Sequence, residues 1–184
     1  MRVGYQRSFA LGAVATVVAI APLTWSAQAM EPPATTGYCV QIQGFGQAAA
    51  VQKCTAAPGD AAPSAASIHQ SVAAKGQVAA IVKVCRPSSA NLGRFRITGT
   101  ASSSDFRVRY SRASDGVDIT SFVTGGKYVS TNISSDTSPC FSYRVDVVRT
   151  AAAATGAKGV FALTFNPEGS GWASLKAATF VTAS

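Results

Sequence analysis

The sequence predicts an all-β protein, an antiparallel β-sandwich of seven to eight short strands with a loosely structured N-terminal extension. Three observations carry this reading. From Val78 onward, short runs of β-branched and aromatic residues alternate with polar ones, and clusters of Gly, Ser, Asp and Pro separate the runs. No long stretch with a 3.6-residue apolar period competes with them. Four cysteines follow an N-terminal export signal, which suits a small domain stapled in an oxidising compartment.

The chain opens with a short basic segment, Met1 to Arg7. An uncharged apolar run from Ser8 to Trp25 follows, then Ala27-Gln28-Ala29, small residues where a signal peptidase reads. That order describes a cleavable secretory signal over residues 1–29. Arg2 and Arg7 are too far apart for a twin-arginine signal, and no cysteine follows the apolar run to take a lipid. Cleavage leaves about 155 residues, the size of one domain, with no second run near the roughly 20 apolar residues of a spanning helix. The signal holds two of the 16 basic residues and none of the eight acidic ones, so the mature net charge is +6. Such a balance serves solubility first, and contact with anionic partners second.

Residues 30–77 are rich in Ala, Gln, Ser and Pro. Within this extension Tyr38 to Ile42 alternates like one short strand, Thr55 to Ser64 reads as a linker or loop, and Ser67 to Lys75 reads as a weak helical turn. The sandwich is expected over residues 78–184. Its strands are Val78–Val84, Arg94–Thr98, Phe106–Tyr110, Val117–Thr120, Lys127–Ser130, Phe141–Val148, Val160–Phe165 and Ala173–Val181. In the third, Phe106, Val108 and Tyr110 share one face, and Arg107 and Arg109 the other.

Cys39, Cys54, Cys85 and Cys140 allow three connectivities. Cys39–Cys54 with Cys85–Cys140 is preferred, because the first pair is local to one polar segment and the second ties the start of the main domain to its middle. No Cys-x-x-Cys pair occurs and the spacings match no zinc pattern, so neither a metal nor a cofactor is expected.

The run from Phe95 to Val181 resembles an immunoglobulin-like β-sandwich module of bacterial secreted and cell-surface proteins. The likeness lies in Phe95-Arg96-Ile97-Thr98-Gly99, Phe106 to Tyr110, Gly116-Val117-Asp118-Ile119-Thr120, Val123 to Tyr128, and Tyr143 to Val147. The sequence departs from that pattern at Ser138-Pro139-Cys140, where Cys stands for Gly. It departs again at Ser88 to Gly93, in place of an Asn-Asp-Gly type turn, and at Ser174 to Ala177, which lacks an Asp. The resemblance implies a non-catalytic structural or binding module and names no ligand.

Few residues carry chemistry. His69 is the sole histidine, and no Gly-x-Ser-x-Gly elbow surrounds any serine. Asp105, Asp115, Asp118, Asp136 and Asp146 are scattered singly, and the glutamates Glu31 and Glu168 are far apart in the chain. Asp115-Gly116-Val117-Asp118 reads as a turn rather than a calcium loop, and Thr124 to Lys127 as a hairpin turn rather than a phosphate loop. Trp172 is placed at a loop–strand junction. The candidate binding set is Arg94, Arg96, Arg107 and Arg109: if their two strands are neighbours in one sheet, four guanidinium groups form one basic patch, which Arg144 and Arg149 extend if their strands pair nearby. The function expected is an exported, non-catalytic binding or structural protein of the bacterial cell envelope, in the periplasm or outside the cell. Its expected partner is an anionic envelope polymer or another envelope protein, with nucleic acid not favoured. The alternative is a small secreted hydrolase or hydrolase inhibitor.

Overall fold

The computed structural model describes residues 37–87, 94–100, 103–130, 140–168 and 171–184. The expected signal peptide, the turn over residues 88–93, Asp136 and the Ser138-Pro139 corner lie outside them. The described strands are β1 (Tyr38–Gly44), β2 (Val51–Thr55), β3 (Ala66–Val72), β4 (Gln77–Cys85), β5 (Phe95–Gly99), β6 (Phe106–Arg112), β7 (Tyr128–Val129), β8 (Cys140–Arg149), β9 (Lys158–Pro167) and β10 (Leu175–Ala183), with one short helix, α1 (Thr120–Thr124). They form two five-stranded sheets. Sheet A runs β2-β1-β4-β8-β6, and sheet B runs β3-β10-β9-β5-β7. Every pair is antiparallel except β3 with β10, which is parallel and makes sheet B mixed.

Alternation within each strand explains the layering. Tyr38, Val40 and Ile42 of β1, Ala80, Val82 and Val84 of β4, and Tyr143, Val145 and Val147 of β8 are buried on one side of sheet A. Phe161, Leu163 and Phe165 of β9, Leu175, Ala177 and Val181 of β10, and Phe95 and Ile97 of β5 do the same for sheet B. All belong to one core, so each sheet turns a single apolar face toward the other. Phe95 lies among aromatic rings, meeting Tyr38, Phe141 and Phe165 edge-on at 5.6, 6.4 and 6.3 Å between centroids.

One predicted strand, two predicted turns and the N-terminal extension need correction. Residues 38–72 are no loose extension: β1, β2 and β3 are strands of the sandwich, and Tyr38, Val40, Ile42, Ile68 and Val72 are core residues. The described residues therefore belong to one compact unit, with no boundary at 77/78. Ser67 to Lys75 is no helical turn. Ala66, Ile68 and Val72 point inward from β3 while Ser67, His69 and Ser71 point outward, a period of two that its small polar residues disguise. Residues 117–120 form no strand; they contribute one isolated bridge, Asp118 to Ser111, and then enter α1. Residues 124–127 close that helix rather than a hairpin, with Gly126 at φ 67°.

Tyr110 joins the two layers. Its ring is fully buried on the inner face of β6, and its Oη lies 3.1 Å from Thr100 Oγ1, 3.2 Å from Thr100 O and 3.3 Å from Ala162 O. Gly99 leaves room for it, since a Cβ there would stand 3.0 Å from Tyr110 Cε2. Burial pushes the Tyr110 phenol up to about 12, against hydrogen bonds to Thr100 and Ala162 that pull it down. Replacing the hydroxyl in Tyr110→Phe is expected to cost about 1–2 kcal/mol, read from urea unfolding at neutral pH. A raised phenol contributes stability that is intact below the unfolded value near 10 and is lost as pH rises toward the folded value. The variant is therefore expected to lose less stability than the parent between about pH 10 and 12.

Candidate binding face

Both expected disulfides are present, Cys39–Cys54 and Cys85–Cys140. Each joins directly opposed residues of neighbouring strands, β1 to β2 and β4 to β8. They link four of the five strands of sheet A in two pairs and suit a protein kept in an oxidising compartment. Among the described residues no helix is long and apolar enough to cross a membrane.

The four candidate arginines do not come together. β5 lies in sheet B and β6 in sheet A, so the chain crosses the sandwich between Gly99 and Phe106. Arg94 and Arg96 emerge on the outer side of sheet B, and Arg107 and Arg109 on the outer side of sheet A. The patch expected from sequence is thereby split between opposite faces. Arg109 Nε is bonded to Asp118 Oδ2 at 3.1 Å and its Nη2 donates to Gly116 O at 3.2 Å. Arg112 holds Asp115, and Arg144 holds Asp146 at 2.7 Å. Arg149 is no surface cation at all; it is 7% exposed and donates to backbone carbonyls.

The carboxylates on this side are occupied by the turn that they build. The backbone N–H of Val117 holds the Asp115 carboxyl below its usual range, helped by Arg112. The N–H and hydroxyl of Thr120 lower Asp118, with Arg109 adding to the effect. Thr120 Oγ1 in turn accepts from Tyr110 N at 2.8 Å, and Ile119 N donates to Tyr110 O at 2.9 Å. The turn from Asp115 to Asp118 thus covers part of the β6 edge. Among the described residues no three of His, Cys, Asp and Glu stand close enough to hold a metal.

Sheet B carries a different surface, part of which the sequence missed. Lys158 of β9 and Lys176 of β10 are exposed on its outer side, as are Arg94 and Arg96. Lys176 is opposite Thr164, which is six residue steps along β9 from Lys158, so the two lysine backbones lie about 20 Å apart along the sheet. Glu168, 3.3 Å from Arg96 Nη2, is the described carboxylate among them. Between the lysines runs one row of exposed residues, His69, Phe180 and Val160, on adjacent strands. The His69 and Phe180 rings stack at 4.8 Å and 15°. His69 is therefore an exposed residue of a strand. Ser67, Ser71 and Thr182 flank the ring pair on the same side, and Thr98 and Thr164 lie further along the face beside Lys176. The signal for this face was the outward alternation of Lys158, Val160, Lys176 and Phe180, which acquires meaning only once β9 and β10 are known to be neighbours. Trp172 stands beside β10, as the junction reading had it, with its ring 4.9 Å from that of Tyr38.

No protein-family model matches the chain, and no curated protein matches its sequence. Among solved structures it is similar to the CupB6 tip adhesin from Pseudomonas aeruginosa, at 10% identity and a TM-score of 0.44, over 64% of this chain and 41% of that one. It is similar to BcpA, the major pilin subunit of Bacillus cereus, at 10% identity and a TM-score of 0.36, over 63% and 37% of the two chains. A family 123 glycoside hydrolase from Clostridium perfringens aligns at 9% identity and a TM-score of 0.39, over 64% and 22%. The chain spans about two-fifths or less of each of these proteins. Likeness at this level assigns no activity.

Proposed function

We propose that this chain is an exported, non-catalytic binding or structural module of the bacterial cell envelope that engages an anionic polymer through the outer face of sheet B. The observation that carries the reading is that one face holds Arg94, Arg96, Lys158 and Lys176 with the single described carboxylate of Glu168, and that an exposed His69–Phe180 ring pair lies between the rows of the two lysines. Ring faces and hydroxyls suit a saccharide backbone, and separated cations suit its carboxylate, sulfate or phosphate groups. Exposed charges are individually weak and screened by salt, so binding is multivalent and salt-sensitive. The two cystines support export. A hydrolase needs titratable groups converging on a cleft. Here Asp115, Asp118, Asp146 and Glu168 are each paired with an arginine, and the His69 ring is packed on Phe180, which favours the binding reading.

Retention on heparin-agarose, a sulfated polysaccharide, tests this. The protein is expected to bind at low salt, and Lys158→Gln/Lys176→Gln to elute at clearly lower NaCl. Arg107→Gln/Arg109→Gln, an equal change of charge on the opposite face, is expected to elute with the parent. Equal shifts in both variants, or no retention of the parent, would overturn the proposal.

A further inference from the structure

The four half-cystines form one straight row. Cys54 of β2 is opposite Cys39 of β1, Cys39 is also opposite Cys85 of β4, and Cys85 is opposite Cys140 of β8. Directly opposed residues of an antiparallel sheet share a face. The row therefore lies on the outer side of sheet A, because the neighbouring Tyr38, Val40 and Val84 point into the core. The bonded pairs have Cα–Cα separations of 4.1 and 4.0 Å, which mark them as the narrow, non-hydrogen-bonded pairs of the ladder. Narrow and wide pairs alternate from one side of a strand to the other. Cys39 and Cys85 are then a wide pair about 5.5 Å apart, inside the span that a disulfide bridges. The two central cysteines can bond to each other in the same register once their Cβ atoms draw together by about 1 Å, to the roughly 4.5 Å that a disulfide spans.

Exposure sets the direction. Cys39 and Cys85 are 0% and 1% exposed, whereas Cys54 is exposed and Cys140 half-buried. A thiol from solution reaches the row at Cys54.

We propose that the row is a thiol–disulfide exchange relay that takes up a low-molecular-weight thiol at Cys54 and releases a thiol at Cys140. The incoming thiolate attacks Cys54 Sγ, forming a mixed disulfide and expelling Cys39 as its thiolate. Cys39 Sγ then attacks Cys85 Sγ from behind the bond that breaks; the Cys39–Cys85 bond forms and Cys140 leaves as a thiolate, which takes a proton from water. Two disulfides and one thiol enter, and two disulfides and one thiol remain, so no oxidant or reductant is consumed. The strand register is unchanged, and a free thiol has moved across three strand spacings of sheet A.

The test uses the full exported chain with reduced glutathione under native conditions, followed by acid quenching, alkylation with N-ethylmaleimide and peptide mapping. The expected product carries glutathione on Cys54, a Cys39–Cys85 bond and the alkyl group on Cys140. Glutathione on Cys54 with Cys85–Cys140 intact and Cys39 alkylated would overturn the relay, and so would no glutathione on Cys54. Cys54→Ser supplies a second reading without external thiol. Its oxidised form is expected to lose the Cys85–Cys140 bond in favour of Cys39–Cys85 and to alkylate at Cys140. Retention of Cys85–Cys140, with Cys39 alkylated only after denaturation, would count equally against it.

Discussion

Replacing Arg149 with Met is expected to destabilise the protein by about 3–5 kcal/mol, more than any surface substitution. Arg149 ends β8 on the inner side of sheet A, where its register partner is Phe106. Nη1 donates to Ser184 O at 2.5 Å and to Val72 O at 3.4 Å, and Nη2 donates to Ala153 O at 3.0 Å. One planar fork thus ties the end of β3, the residue after β10 and the loop after β8. Met fills similar volume but leaves these acceptors without their charged donor, and a buried acceptor without a partner costs more than its hydrogen bond contributed. Scanning calorimetry is expected to show Tm lower by about 10 °C, since 1 kcal/mol moves a domain of this size by roughly 2–4 °C. The conservative change Arg149→Lys is expected to retain only part of the stability, because an ammonium cannot reproduce the fork. A loss below about 1 kcal/mol in the Met variant would mean that water or backbone rearrangement replaces the guanidinium.

Removing the Cys85–Cys140 bond by Cys85→Ala/Cys140→Ala is expected to cost about 4 kcal/mol, against about 3 for Cys39→Ala/Cys54→Ala. The difference follows from loop length, 55 residues of sequence separation against 15. Both bonds lie between strands already paired along their length, so the cross-link acts chiefly on the unfolded chain. Urea midpoints in oxidising buffer check the order of the two variants. If the shorter cystine proves the more important, native packing on the outer side of sheet A outweighs chain entropy.

Much of the strand pattern was legible in order along the chain, and so were both cystines. Alternating apolar residues mark β4, β6, β8 and β9 because each strand buries one side only. The same rule places Arg107 and Arg109 opposite Phe106, Val108 and Tyr110, as found. β3 was harder to read, since its inward residues include Ala66 and Gln70. Gln70 belongs there because its amide spans the sandwich, donating to Ala79 O and accepting from Thr179 Oγ1, at 3.1 and 3.3 Å.

By itself, then, the sequence determined the all-β class, most strand positions, the side of strands such as β6 and β8 that faces the core, and a cystine pairing that locality favoured. Only the tertiary structure decided which strands are neighbours. A period of two tells inside from outside within one strand, but it carries no information about which sheet receives that strand. The crossing between Gly99 and Phe106 therefore sends two arginine pairs to opposite faces, while pairing of β9 with β10 gathers Lys158, Lys176 and Phe180 onto one. Burial of Arg149 has the same origin: its carbonyl partners come from three segments that meet only when the two layers close.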